Sequence, residues 1–277
     1  MTGRVQTKSL TDIRNLLIDM DGVLYHGNAP VPGAREFVAW AEERGLGFLL
    51  FTNNSTLTPE QYVLKIAKMG IMVTPEHIFT SAQATAMYLP RLVPPGAALY
   101  VIGQDGLRVA LTEAGYRFAD SDVSAVVVGM DTQLTYEKLC LATLAIRAGA
   151  LFVATNPDVT FPSERGIIPG NGAALAAIET ATGVKPIMVG KPERAIFEIA
   201  LARLGALAEN TAMIGDRPET DVLGGQQAGL MTIHVLTGVA NRADLAASGL
   251  TPDWVFDDLP ALREAWVAAS AGADRQP

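Results

Sequence analysis

Short apolar runs recur along the chain, separated by longer stretches that carry helix start and stop signals. The runs predict strands at Asn15–Asp19, Phe48–Thr52, Ala98–Ile102, Ala125–Gly129, Leu151–Thr155, Ile187–Val189, Thr211–Gly215, Met231–Val235 and Trp254–Phe256. Several are apolar throughout, as strands covered on both faces are. Thr58-Pro59-Glu60-Gln61 combines an N-cap hydroxyl, a proline at the first helical position and a glutamine at the third. Thr74-Pro75-Glu76-His77 and Thr135-Tyr136-Glu137-Lys138 open in a similar way, and Gly45 and Gly70 fall where helices should stop. This alternation predicts an α/β fold around a mainly parallel sheet. Pro/Gly breaks at Arg91–Gly96 and Gly183–Pro186 bracket a stretch with strands and helices of its own. The division expected is a discontinuous core of residues 1–90 and 186–277 with an inserted α/β domain over 91–185. A length of 277 residues accords with it at about 150 per domain. Residues 270–277 should fray.

Composition narrows the class. Hydrophobic residues are 49% and charged residues 18%, which suits a chain that buries a core and not a disordered one. Lys+Arg 21 against Asp+Glu 29 gives a formal net charge of −8. That balance argues against nucleic acid or an anionic membrane held by a broad basic face. A small phosphorylated partner remains compatible, because a local site can be positive on an acidic protein. Mean hydropathy is +0.24, yet no run reaches the roughly 18 apolar residues of a membrane span. The single cysteine, Cys140, excludes an internal disulfide framework and any multi-cysteine metal site. His26, His77 and His234 are scattered and lack HExxH spacing, so a His-rich zinc site is not expected. The polar start MTGRVQTKSLTD has no apolar signal segment, which with the lone cysteine predicts a cytoplasmic protein. Cys140, Met69, Met72, Met87 and Met130 read as packing residues, and His26 as a surface-loop residue that could also approach a substrate.

Candidate chemistry collects at strand ends. Asp19-Met20-Asp21-Gly22 closes the first strand with two carboxylates. A strand buried on both sides has no room for either, but a loop after Asp19, helped by Gly22, brings both to the crevice beyond the strand's carboxyl end where α/β proteins bind ligands. Thr52-Asn53-Asn54-Ser55 offers hydroxyls, amides and N–H groups suited to phosphate oxygens. Gly190-Lys191-Pro192 puts a lysine between a strand and a helix-opening proline, where it can neutralise an anion. Gly215-Asp216 ends another strand and Asp221 falls in the first turn after it, a carboxylate pair suited to a hard divalent cation. Singly, each has a plain explanation: an Asp-Gly turn, a polar strand exit, a solvated lysine, a Gly-Asp turn.

Taken together and in this order, each after an apolar strand, the motifs resemble those of the haloacid dehalogenase superfamily over nearly the full length of the chain. Within it the chain is most similar to the NagD-like, 4-nitrophenyl phosphatase-like branch (class IIA). The further matches are Asp21-Gly22-Val23-Leu24-Tyr25 followed by Pro32-Gly33-Ala34, Thr155-Asn156-Pro157-Asp158 and Pro169-Gly170-Asn171-Gly172. The resemblance implies a Rossmann-like core with a parallel sheet flanked by helices, and an inserted α/β cap of the C2 type between the TNNS and GKP motifs. It implies a Mg²⁺-dependent phosphatase of small phosphate monoesters (sugar phosphate, nucleotide, phosphoglycolate or pyridoxal phosphate). Asp19 would be the nucleophile that becomes an aspartyl phosphate, and Asp21 the general acid/base. Thr52, Asn53 and Asn54 would meet phosphate oxygens, and Lys191 would stabilise nucleophile and phosphoryl charge. Asp19, Asp216 and the Asp21 carbonyl would hold Mg²⁺, with Asp221 in support. The loop Asn156–Gly172 would select the leaving group through Asn156, Asp158 and Phe161, although Phe161 equally suits the cap's own core. Dehalogenase relatives lack an aspartate at the position of Asp21, which favours phosphatase chemistry.

Two other readings stay open on sequence grounds. One is a phosphotransferase or phosphomutase, in which an alcohol replaces water as acceptor. The other is a non-catalytic phospho-acceptor or ligand-binding module, since receiver domains also use Asp, Thr and Lys beyond a parallel sheet. A dinucleotide-binding enzyme and a P-loop NTPase lose ground because neither GxGxxG after the first strand nor GxxxxGK[ST] is present. The implied partner is a small phosphorylated metabolite. The resemblance leaves both a homodimer through the cap and a monomer open.

Overall fold

The computed structural model describes residues 8–163 and 165–273, which fall into two units. The first takes in residues 8–50, Ala67–Met72 and 201–273, and the second Phe51–Ile66 with the described residues of 73–200.

Inside the first unit the apolar runs lie side by side as parallel strands, in the order Trp254–Phe256, Met231–Val235, Thr211–Gly215, Asn15–Ile18 and the start of Gly47–Thr52. Ile18 stands between Ile214 and Leu50 in the register. Leu16, Leu17 and Ile18 are all fully buried, so this central strand is covered on both faces, as its uniform apolar sequence requires. The helix Ala34–Glu43 buries Phe37, Val38 and Ala41. Its Trp40 meets Trp266 of the helix Leu259–Ala273 edge to face at 5.4 Å. Arranged in this way, the carboxyl ends of Asn15–Ile18 and Thr211–Gly215 are neighbours, and the acidic residues that follow them start from adjacent positions.

The second unit has its own five-stranded parallel sheet, ordered Ile187–Met188, Leu151–Ala154, Ala125–Val128, Ala98–Ile102 and Arg117–Phe118. Tyr100, Val126, Val128 and Phe152 pack with Ala142 and Ile146 of the helix Tyr136–Arg147 and with Leu175 and Ile178 of the helix Asn171–Thr182. Thr135 caps the former helix by accepting from the Lys138 N–H at 3.2 Å. Phe51 is flanked by Phe79 and Phe197, with centroids at 5.9 and 5.2 Å. This unit reaches beyond an insert of 91–185, because it also takes in 51–66, 73–90 and 186–200.

All nine expected strands form, several of them one residue shorter at the carboxyl end. The pattern missed the strands Ile78–Thr80 and Arg117–Phe118 and the hairpin Tyr25–His26/Ala29–Pro30, which are too short to show a periodicity. The Thr58–Gln61 capping box forms, with reciprocal bonds of 2.9 and 3.3 Å. Thr74-Pro75-Glu76-His77, in contrast, makes a single 3₁₀ turn over Pro75–His77 before the chain enters the strand Ile78–Thr80. The expected loop Asn156–Gly172 contains an antiparallel hairpin, Thr160–Ser163 with Gly166–Pro169, in which Phe161 faces Ile168. Met72 and Met87 are not core residues: they are 71% and 52% exposed, one just past the turn at Gly70 and one on the outer side of the helix Ser81–Tyr88. His26 is exposed and Cys140 half-buried on the helix Tyr136–Arg147. Of the expected frayed tail, residues 270–273 belong to the helix Leu259–Ala273, and 274–277 lie outside the described residues, as do 1–7 of the polar start. Among the described residues no helix is long and apolar enough to cross a membrane.

His234 is fully buried within the strand Met231–Val235. Burial holds its pKa below the usual 6.5, with Asp221 and Glu219 opposing the shift. The unfolded chain therefore binds a proton that the folded chain refuses, and stability falls as pH drops through the unfolded value. Between about pH 7.5 and about 5.5, chemical denaturation should show wild type losing up to about 1.4 kcal/mol per pH unit below 6.5. His234→Leu should flatten that slope. An unchanged slope in the variant would remove His234 from the account.

Candidate active site

Each unit carries one cluster of the expected residues. In the first unit, Asp19 leaves the central strand while its N–H still donates to Ile214 at 2.9 Å. The chain then turns sharply. Gly22 adopts φ +87, a conformation glycine takes without steric cost. Its N–H donates to the Tyr25 carbonyl at 2.8 Å, and the Leu24 N–H to Met20 at 2.8 Å. This turn keeps Asp19 and Asp21 from being buried in a continuing strand. Asp21 is half-buried, and the Tyr25 hydroxyl donates to its Oδ2 at 3.4 Å.

Asp216 follows the strand Thr211–Gly215, and Asp221 sits in a π-helical turn over Pro218–Val222, where its Oδ2 accepts from the Arg217 N–H at 3.1 Å. Carboxylate oxygens of Asp19, Asp216 and Asp221 all lie within 4.8 Å of one another, and all three residues are buried. The carboxylate of Asp21 stands outside this trio, and Asp221, expected only as a support, stands within it.

Asp216 lies in a cradle made by glycines. A Cβ on Gly238 would overlap its Oδ2, and one on Gly22 would come within 2.7 Å of its Cγ. The Val239 N–H donates to Asp216 Oδ2 at 2.7 Å, and the Thr237 hydroxyl ties the Gly22 carbonyl at 2.7 Å. The donors are hard oxygens, convergent and buried, and they carry like charges that a divalent cation offsets. The set fits Mg²⁺, which takes a few carboxylates and fills the rest of its shell with water or phosphate oxygens. The sequence pattern did not single out Thr237-Gly238-Val239. Its only sequence signal is a glycine three residues beyond a buried strand.

The second unit gathers Thr52, Asn53, Asn54, Asn156, Asp158 and Lys191. The Asn53 side chain grips the main chain of Lys191 at both ends: its Oδ1 accepts from the Lys191 N–H at 2.8 Å and its Nδ2 donates to the Lys191 carbonyl at 3.0 Å. Asn53 Nδ2 also reaches Asp158 Oδ1 at 3.3 Å. Lys191 is 2% exposed. Its Nζ donates to the Phe51 carbonyl at 3.3 Å and lies over the Phe51 ring, 5.2 Å from the centroid. The ammonium is thus fixed in a place with little solvent. Thr52 Oγ1 accepts from the Asn54 N–H at 3.1 Å, and Asn54 Oδ1 holds the Thr56 N–H and hydroxyl at 2.9 and 2.7 Å. Asn54 therefore shapes its own loop. Asn156 is buried and spends its amide on the Asn53 carbonyl at 2.8 Å, and it accepts from the Asp158 N–H at 3.1 Å. Ser81, which the sequence did not single out, also donates to the Asn53 carbonyl. Phe161 is half-buried on the hairpin, opposite Ile168.

Comparison with known proteins agrees with this geometry. The profile of haloacid dehalogenase-like hydrolases matches residues 16–117, and a second profile of the same kind matches 188–262. The acid sugar phosphatase of Staphylococcus aureus is 46% identical over 244 residues, covering 88% of this chain and 94% of that one. Among solved structures, the 4-nitrophenylphosphatase of Thermotoga maritima aligns with a TM-score of 0.88 and 35% identity over 92% of this chain and 98% of that one. NagD of Escherichia coli K-12 aligns with a TM-score of 0.84 and 38% identity over 89% and 97%. The glycerol phosphate phosphatase of Mycobacterium tuberculosis, solved in complex with magnesium, aligns with a TM-score of 0.85 and 36% identity over 92% and 78%.

The glycine cradle makes a prediction of its own. Gly238→Ala should push Asp216 out of place, cost about 1–3 kcal/mol by overpacking, and abolish any Mg²⁺-induced rise in Tm. Gly272→Ala, whose Cβ meets nothing within 4 Å, is the control and should change neither. A full Mg²⁺ response in Gly238→Ala would show that the cradle does not set the metal site.

Proposed function

The chain belongs to the haloacid dehalogenase-like hydrolases, in their NagD-like branch, and on that premise we propose that it hydrolyses small hydroxylated phosphate monoesters with Mg²⁺, through an aspartyl phosphate on Asp19. The enzyme is a phosphoric monoester hydrolase, as its relatives are. The observation that carries the finer proposal is the buried trio Asp19, Asp216 and Asp221 at the carboxyl ends of neighbouring strands.

Phosphoryl transfer asks a protein mainly for positioning and charge neutralisation. An oxygen of Asp19 attacks phosphorus and displaces the ester oxygen, which leaves with a proton from Asp21. Asp21 then takes a proton from water, and the water oxygen attacks the phosphorus of the aspartyl phosphate, releasing phosphate and restoring Asp19. Asp21 suits both halves, being half-buried and held by the Tyr25 hydroxyl rather than committed to the acidic trio. Mg²⁺, held by Asp19, Asp216 and the Asp21 carbonyl with Asp221 in support, would offset the repulsion between carboxylate and phosphate dianion. Lys191, fixed by Asn53, stabilises the same charge, and the Thr52 hydroxyl holds a phosphate oxygen.

For the leaving group, the relatives that bear a natural substrate in their names act on sugar phosphate and glycerol phosphate. They support a polyol phosphate as the substrate class here. Residues 91–185 are proposed as the cap, with Phe161 and the rest of 156–172 selecting the leaving group.

The decisive assay is phosphate release from a panel of sugar, glycerol and nitrophenyl phosphates, without added acceptor. Release should require Mg²⁺ and vanish in Asp19→Asn, whose amide is a poor nucleophile, while the variant stays folded. Ca²⁺ should support little turnover, since its larger, more flexible shell lets Asp19 bind with both oxygens. Turnover in EDTA-treated enzyme, or a tenth of wild-type activity in Asp19→Asn, would sink the mechanism. Phe161→Ala should reorder the panel by about tenfold in kcat/KM, with 4-nitrophenyl phosphate changed least. A uniform loss matched by a lower Tm would make Phe161 a packing residue.

A further inference from the structure

The motif Pro169-Gly170-Asn171-Gly172 closes the segment proposed to select the leaving group, and no residue of it has a part in the phosphoryl transfer described above. We infer that Asn171 is a positioning residue for Lys191, acting through a relay of asparagine amides. The inference rests on the reading of Lys191 as the lysine that meets the phosphoryl group.

Asn171 is the first residue of the helix Asn171–Thr182, a place where asparagine usually meets solvent, yet it is 2% exposed. Its Nδ2 donates to the Asn156 carbonyl at 2.8 Å and to the Val128 carbonyl at 3.4 Å. Asn156 in turn donates from Nδ2 to the Asn53 carbonyl at 2.8 Å. Asn53 closes the series by gripping Lys191 through both the N–H and the carbonyl, at 2.8 and 3.0 Å. Three side-chain amides thus run in series from the start of a helix to the catalytic lysine, each holding the main chain of the next residue.

The flanking glycines make this approach possible. A Cβ on Gly170 would overlap the Asp158 carbonyl, and one on Gly172 would stand 2.6 Å from the Pro157 carbonyl. With neither present, the Gly172 N–H donates to Asp158 at 2.8 Å, and the helix start closes on the turn that carries Asn156. The orientation of the Asn171 amide is fixed by its neighbours. A flipped amide would aim Oδ1 at two carbonyl oxygens. In the orientation present, Oδ1 is buried with no hydrogen-bond partner among the described residues. Leaving that oxygen unsatisfied costs free energy, so the stability argument alone favours an apolar residue of the same size. What an apolar residue could not supply is the pair of donors.

The lysine at the far end has little freedom. Its ammonium is buried against Phe51, so a shift of its main chain cannot be absorbed by solvent and moves the charge itself. A misplacement of about 1 Å in a reacting constellation can cost about 100-fold in rate.

The experiment is a double-mutant cycle on the full chain. Asn171→Ala should lower kcat/KM by about 10–100-fold on every member of the substrate panel, 4-nitrophenyl phosphate included. It should raise the inhibition constant of inorganic phosphate in parallel, a readout that a packing defect would not move. In a Lys191→Ala background the same substitution should add less than about threefold, because the relay then has nothing to position. Asn171→Leu keeps the volume without the donors and should behave like Asn171→Ala, which covers failure of the alanine variant to fold. Wild-type kcat/KM and phosphate inhibition in both Asn171 variants, with only Tm lowered, would overturn the positioning role while leaving the function reading intact. Fully multiplicative losses in the cycle would also overturn it. Wild-type turnover in Lys191→Ala would remove the lysine assignment and the relay's purpose together.

Discussion

Three carboxylates packed within 4.8 Å of one another and buried repel one another. The local structure of the first unit is organised around keeping them there. The central strand is covered on both faces, so Asp19 has only the crevice at the strand's end to occupy. The turn at Gly22 and the glycine at 238 leave Asp216 room that any side chain would take. The Val239 N–H and the Thr237 hydroxyl fasten that arrangement. On the proposed function, a hard cation would offset this repulsion and make the cluster a binding site, and Asp19 would need that counter-charge before attacking an anion.

The second cluster solves the opposite problem, a buried cation. Lys191 sits over an aromatic face with its ammonium donating to a main-chain carbonyl, and its own main chain is clamped by Asn53. Asn53, Asn156 and Asn171 supply rigidity with uncharged groups, which avoids adding to the electrostatic load. Few of these side chains are free to move alone, since each amide fixes the backbone of the next.

Much of this was legible in the sequence, and what was missed has physical causes. Nine strands and the carboxylates at their ends could be read because buried parallel strands are uniformly apolar and a charge directly after one stands out. Strands of two or three residues, such as Arg117–Phe118 and Ile78–Thr80, leave no period to detect. Thr74-Pro75-Glu76-His77 carries a start signal that only one turn uses, because the tertiary structure draws Ile78 into a strand. Met72 and Met87 were misjudged because a lone apolar residue says nothing about which side of a helix or turn it occupies. Within the site, the π-helical turn at Pro218–Val222, which brings Asp221 up to Asp19 and Asp216, has no sequence signature. Thr237–Val239 and Ser81 act through main-chain contacts that no motif records. The roles of Asn53 and Asn171 depend on which partner each amide finds, and that is a property of the fold.

The proposed mechanism stands on covalent phosphorylation of Asp19. Rapid quenching of Asp21→Asn enzyme during turnover, followed by borohydride reduction and peptide mass spectrometry, addresses it directly. Borohydride reduces an acyl phosphate at its carbonyl carbon and expels phosphate, converting the aspartate to homoserine. Homoserine is expected at position 19, dependent on substrate and Mg²⁺, and at no other aspartate. Homoserine at Asp216 or Asp221, or an unmodified Asp19 under conditions where phosphate is released, would contradict it.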